Sequence, residues 1–101
     1  MPLYIAAYDL KDNRLLNEHE AFREAALNNG WFLWILGTNG FKYRLPNTTL
    51  DGEFPSYQAA WNALDRTARQ AQAKVGRIVV EKWVITEYTT AHFDSDQKLP
   101  G

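Results

Sequence analysis

A chain of 101 residues, 46% hydrophobic and 14% aromatic, has room for one core and is too apolar to be disordered. It contains no cysteine, which excludes a disulfide scaffold and a thiolate metal site and is compatible with a reducing compartment. A net charge of −1 argues against a general polyanion binder, because phosphate neutralisation normally needs a basic excess.

Residues 3–10 (LYIAAYDL) are apolar at nearly every position and rich in strand formers, so they predict a buried central strand with Asp9 at its end. No basic stretch precedes them, so no signal peptide is expected and the expected compartment is the cytoplasm. Lys11, Asp12 and Asn13 read as a polar turn. From Leu15 the period changes: Leu15, His19, Phe22 and Ala26 recur at helical spacing and predict an amphipathic helix. Asn17 with Glu20 can form a capping box, and Asp12 or Asn13 can equally cap an earlier start. Asn28, Asn29 and Gly30 stop the helix, Gly30 supplying the left-handed conformation that closes it.

Residues 31–36 (WFLWIL) are apolar on both faces and predict one interior strand. Thr38, Asn39 and Gly40 predict a hairpin through a tight primed turn. Phe41, Tyr43 and Leu45 then alternate with Lys42 and Arg44, the pattern of a half-exposed strand that Pro46 ends. Residues 47–56, with Gly52 and Pro55, read as a loop. Ser56 is a good N-cap for a second helix with a stripe of Tyr57, Trp61, Leu64, Ala68, Ala71 and Val75. Trp61, in the middle of that stripe, is expected to be buried. Asp65 and Arg69 form an i,i+4 pair, and Gly76 ends the helix. Residues 77–90 predict the last strand, with a bulge or bend at Glu81 and Lys82. Residues 95–101 are expected to be a loose tail, leaving 1–94 as a single domain.

The predicted order is strand–helix–strand–strand–helix–strand. That is an α+β domain of ferredoxin-like order, a four-stranded antiparallel sheet with two helices on one face. Both sides of the first two strands are apolar, so the uncovered face calls for a partner. A two-fold homodimer that stacks sheet on sheet is the simplest one. The longest apolar run, residues 31–36, falls far short of the ~20 that cross a membrane, so no membrane association is expected.

Few residues offer chemistry. Asp9, at the end of a central strand, could meet its symmetry mate and share a divalent ion, since Mg²⁺ needs only one or two protein carboxylates. The alternative is a turn or helix cap. His19 lies on the apolar stripe and His92 near the chain end; each reads as a general base or as an ordinary core-edge or surface residue. Thr48, Thr49 and Asp51 fall in the predicted loop, where hydroxyls can bind phosphate or merely shape a turn. Lys42, Tyr43, Arg44 and Lys82, with Tyr8 and Trp34 nearby and Arg77 at a strand start, form a candidate face for single-stranded RNA. The competing reading is a solvated strand face whose charge blunts an edge. No zinc spacing, phosphate loop or nucleophile elbow occurs.

The opening strand through Tyr8, Asp9, Leu10 and Lys11 resembles that of the VapD-type small ribonucleases and the related CRISPR-associated adaptation nuclease-like proteins. Residues 47–50 (NTTL) and 80–85 (VEKWVI) sit where similar features occur in that superfamily. The resemblance implies a ferredoxin-like homodimer with Asp9 as catalytic and metal-binding residue near the dimer cleft, Mg²⁺ or Mn²⁺ as cofactor and RNA as substrate. Residues 37–40 lack the serine common near the second strand of the adaptation proteins. Two function classes therefore stand side by side: a metal-dependent endoribonuclease, and a non-enzymatic dimeric scaffold that binds a protein or nucleic acid.

Overall fold

The computed structural model describes residues 1–11 and 17–101. The turn at Asp12 and Asn13, their alternative caps and the stripe position Leu15 lie outside the described residues. The elements are β1 (Leu3–Leu10), α1 (Glu18–Leu27), β2 (Trp31–Phe32), β3 (Trp34–Leu36), β4 (Phe41–Arg44), β5 (Thr49–Glu53), α2 (Tyr57–Val75), β6 (Val80–Tyr88) and β7 (Lys98–Pro100). They build an α+β fold of two helices and two antiparallel sheets, one ordered β2-β5-β1-β6 and the other β3-β4-β7.

β1 is the central strand that its composition predicted. Tyr4, Ala6, Tyr8 and Leu10 are buried on one side, in a core shared with Phe22, Ala25 and Ala26 of α1 and Ala60, Ala63 and Leu64 of α2. Alternate residues Leu3, Ile5, Ala7 and Asp9 face the other way, which is the period-two consequence of the pleat. β6 pairs with β1 in register until Asp9 meets Lys82 and Leu10 meets Val80, so Glu81 is the extra residue of a bulge, as the Glu81–Lys82 pair suggested.

Four expectations about strands and turns are corrected. The run 31–36 is not one strand: Trp31 and Phe32 pair with β5, Leu33 makes a corner, and residues 34–36 join the other sheet. An arginine holds that corner, since Arg44 Nη1 donates to the carbonyls of Leu33 (3.1 Å) and Leu45 (3.0 Å). The Asn39–Gly40 hairpin does not use a primed turn. Gly40 takes a φ of 86°, but no residue other than glycine has a positive φ among those described, so Asn39 keeps an ordinary conformation. Gly40 N–H bonds Gly37 O and Gly37 N–H bonds Phe41 O, giving a three-residue loop closed by glycine.

The predicted loop at 47–56 contains β5, which lies inside the larger sheet between β2 and β1. Asp and Gly are poor strand formers, but Leu50 is fully buried, and Gly52 lets Trp31 and Phe54 close over the backbone. A Cβ on Gly52 would stand 2.6 Å from the Phe54 ring. Residues 98–100, expected in a loose tail, pair with β4. The backbone edge of β4 was free, and Arg44 N–H to Gln97 O (3.0 Å) and Gly101 N–H to Gly40 O (2.7 Å) secure the join.

Both helix ends behave largely as read. Gly30 and Gly76 take positive φ just past α1 and α2, Ser56 Oγ accepts the Ala59 N–H at 3.1 Å, and Asp65 pairs with Arg69 at 2.9 Å. Asn17 precedes α1 but its side chain makes no capping bond. The buried side of α2 is Ala60, Ala63, Leu64, Thr67 and Ala71, rotated from the expected stripe, and it leaves Trp61 38% exposed. Small residues win that face because α2 packs on the alanines of α1, and close helix approach has no room for an indole. Trp61→Ala is therefore expected to cost about 1 kcal/mol, an ordinary substitution, and not the ~3–5 kcal/mol of a core aromatic. Urea unfolding measures it, and a loss above 3 kcal/mol would return Trp61 to the core.

Candidate functional site

Asp9 is exposed on the side of the sheet that the helices leave open, next to Lys82 in the β1–β6 register. The segment joining β4 to β5 runs alongside: Tyr8 N–H donates to Thr48 O at 3.1 Å, which draws Thr48 to the same place. A groove of about 350 Å³ results, lined by Ala7, Asp9, Thr48, Lys82 and Val84. Three residues singled out for separate reasons, a carboxylate, a hydroxyl and an ammonium, thus share one concavity. A carboxylate oxygen there is a hard ligand for a divalent cation, and the lysine and threonine are donors suited to phosphate oxygens.

The other RNA-contact candidates lie elsewhere. Lys42, Tyr43 and Arg44 belong to the three-stranded sheet. The Arg44 guanidinium braces the Leu33 corner. Tyr43 packs edge-on against Phe93 with ring centroids 5.3 Å apart, holds Lys98 Nζ 5.5 Å from its ring centroid, and accepts a 2.7 Å bond from Asn39 Nδ2. Its ring is occupied by its own chain, while Lys42 is exposed on the opposite side of the strand. His19 is half-buried on α1 and His92 exposed beside Phe93, neither in the Asp9 groove.

Sequence reasoning named Asp51 but placed it in a loop, and so missed the strand β5 that sets it on the open side. Asp51 and Thr49 are on that strand with Thr48 just before it. Asp51 stands opposite Ile5 and Phe32 and accepts a short hydrogen bond from the Tyr88 hydroxyl. Burial pushes its carboxyl above the usual range, against the downward pull of the Tyr88 and Gly52 donors. Burial and the neighbouring Asp51 charge likewise push the Tyr88 hydroxyl up. The signal was the alternation Thr49, Asp51, Glu53 against Leu50 and Gly52, hidden by a composition that reads as loop. On the helix side, burial raises the Tyr8 hydroxyl to about 12, so it is a neutral core group at any ordinary pH.

The open side is consequently mixed. Leu3, Ile5, Ala7, Phe32 and Val84 share it with Asp9, Thr49, Asp51, Glu53 and Lys82. Among the described residues no three His, Cys, Asp or Glu side chains gather as a metal site, so Asp9 is the acid in its groove. No described helix is long and apolar enough to cross a membrane. Compared with family models, curated proteins and solved structures, the chain matches none.

Proposed function

We propose that this chain is a small ferredoxin-like domain that works as a homodimer and cleaves RNA with the help of Mg²⁺ or Mn²⁺ at Asp9. The layout rests on β1, α1, β2, β5, α2 and β6, which follow the strand–helix–strand–strand–helix–strand order with β5 between β2 and β1 and β6 outside β1. The β3–β4 hairpin and β7 are then additions. The activity rests on one observation: Asp9, Thr48 and Lys82 share a groove at the end of the strand whose Tyr8-Asp9-Leu10 resembles the VapD-type ribonucleases.

The donor set fits a lightly held ion. One exposed carboxylate, with water and phosphate oxygens completing the shell, is a common way to hold Mg²⁺. Bound there, the ion would supply Lewis-acid stabilisation of charge on a phosphodiester. The protein's own part is to orient the strand: Lys82 neutralises a phosphate and Thr48 donates a hydrogen bond to it, while Asp9 fixes the ion's place. The expected result is metal-dependent cleavage of a labelled single-stranded RNA that falls to background in Asp9→Ala and weakens in Lys82→Ala. Because Asp9 is exposed, Asp9→Asn should leave the fold intact, so added Mg²⁺ or Mn²⁺ should raise the melting temperature of wild type and not of that variant. Equal cleavage by wild type and Asp9→Ala removes Asp9 from the mechanism.

A second reading, a non-enzymatic binding domain, has its own observation. Trp83 on β6 is 50% exposed, and Trp61, 38% exposed, lies beside it on α2. Large apolar surface of this kind marks interaction sites. Cleavage absent with every divalent ion would favour it.

A further inference from the structure

We propose that β6 is the homodimer interface, pairing antiparallel with β6 of a second copy about a two-fold axis at Trp83. The inference deepens the dimer of the preceding reading by naming its surface.

β6 ends the larger sheet, is nine residues long, and carries no residue in the buried class. An exposed edge of this length is a template for another strand. Its backbone can be read residue by residue. Tyr8 N–H bonds toward β5, so Ala7 and Asp9 bond toward β6, and their partners Val84 and Lys82 are the β6 residues bonded inward. Trp83 and Ile85 therefore direct their N–H and C=O groups outward. Glu87 has the same orientation, but its N–H is already taken by Tyr57 Oη at 3.0 Å. Among the described residues, the part of the edge left without a partner is short and centred near Trp83.

A two-fold axis perpendicular to a sheet pairs residues that share a face, which leaves few registers. An axis at Lys82 would set Lys82 against its own copy. An axis at Val84 would set Glu81 against Glu87, like charges directly opposed. An axis at Ile85 would need the Glu87 N–H that Tyr57 holds. An axis at Glu81 would fall on the bulge. With the axis at Trp83, Glu81 meets Ile85 and Lys82 meets Val84, and no like charges oppose. Trp83 also borders a groove of about 210 Å³ lined by Trp61, Leu64, Ile78 and Val80, so the seam covers apolar surface on the helix side. Stacking the open faces instead would take the exposed charges of Asp9, Glu53 and Lys82 out of water, a costly alternative.

On the open side this pairing makes one continuous row, Asp9, Lys82, then Val84 and Ala7 of the second copy. The two Asp9 side chains lie three strand spacings apart across the sheet and two residues apart along it, roughly 16 Å, so each groove holds its own ion and the pair shares none.

The chain has no cysteine, so crosslinking reports the register directly. Residues opposed in a hydrogen-bonded antiparallel pair have Cα atoms about 5.5 Å apart, within disulfide reach. Under mild oxidation Trp83→Cys should give a covalent dimer and Thr86→Cys should not. Sedimentation equilibrium should find wild type dimeric at about 100 µM, and Trp83→Lys, which sets two ammonium groups face to face, should weaken the dimer by on the order of tenfold or more. A monomeric wild type overturns the proposal, as does a dimer that Trp83→Lys leaves intact and Trp83→Cys fails to crosslink. Loss of RNA cleavage in Asp9→Ala with an intact Trp83→Cys crosslink separates the two readings: the first concerns the groove, the second the edge.

Discussion

Replacing Trp31 by alanine should cost ~3–5 kcal/mol, the range for truncating a core aromatic. The indole is fully buried, and its ring centroid lies 4.7 Å from that of Phe54. It also rests on the backbone of Gly52, 3.0 Å from where a Cβ would be, so no side chain stands ready to fill the space it leaves. One term works the other way. Trp31 Nε1 has no hydrogen-bond partner among the described residues, so truncation forfeits no bond and relieves an unsatisfied donor. The cost should fall in the lower half of the range, and Trp31→Phe should recover much of it. Against a typical total of 5–15 kcal/mol the alanine variant is left marginal. Urea unfolding with an unchanged slope gives the number, and a loss under 1 kcal/mol would show that the corner after β2 does not depend on this ring.

What was legible in the sequence follows from how locally each feature is determined. β1 and both helix stops could be read because apolar strand formers and positive-φ glycines act over a few residues. The bulge at Glu81 could be read for the same reason. The break of WFLWIL at Leu33 could not: six apolar residues look alike whether they stay in one sheet or turn into a second. That choice is made by Arg44, eleven residues away in sequence, donating to the Leu33 carbonyl. The face of α2 was misjudged because hydrophobic size ranked Trp61 above Ala60 and Ala63, while helix–helix approach rewards the small residues. For the site, Asp9 was visible as a carboxylate ending a strand, but its neighbours were not. Lys82 comes from the other end of the chain through strand register, and Thr48 comes through a backbone bond to Tyr8. Register and crossover are tertiary facts, and composition does not carry them.

The strand that composition concealed supplies the second large effect. Leu50→Ala should cost ~2–5 kcal/mol, although the surrounding residues look like a surface loop, where substitutions usually stay within ~0.5 kcal/mol. Leu50 is fully buried and sits opposite Ala6, so the methyls removed come from the middle of the core that β1 shares with both helices. Its partner across the strand is already an alanine and cannot lean in to close the cavity, which places the cost toward the upper part of the range. Thr49 provides the contrast. It is half-buried on the open side of the same strand, so Thr49→Ala should cost no more than about 1 kcal/mol. A steep loss at 50 beside a shallow one at 49 is the alternation of a strand with one covered face. Two shallow losses would mean that residues 49–53 do not hold the middle of the sheet, and β1 would then lack the neighbour that brings Thr48 to Asp9.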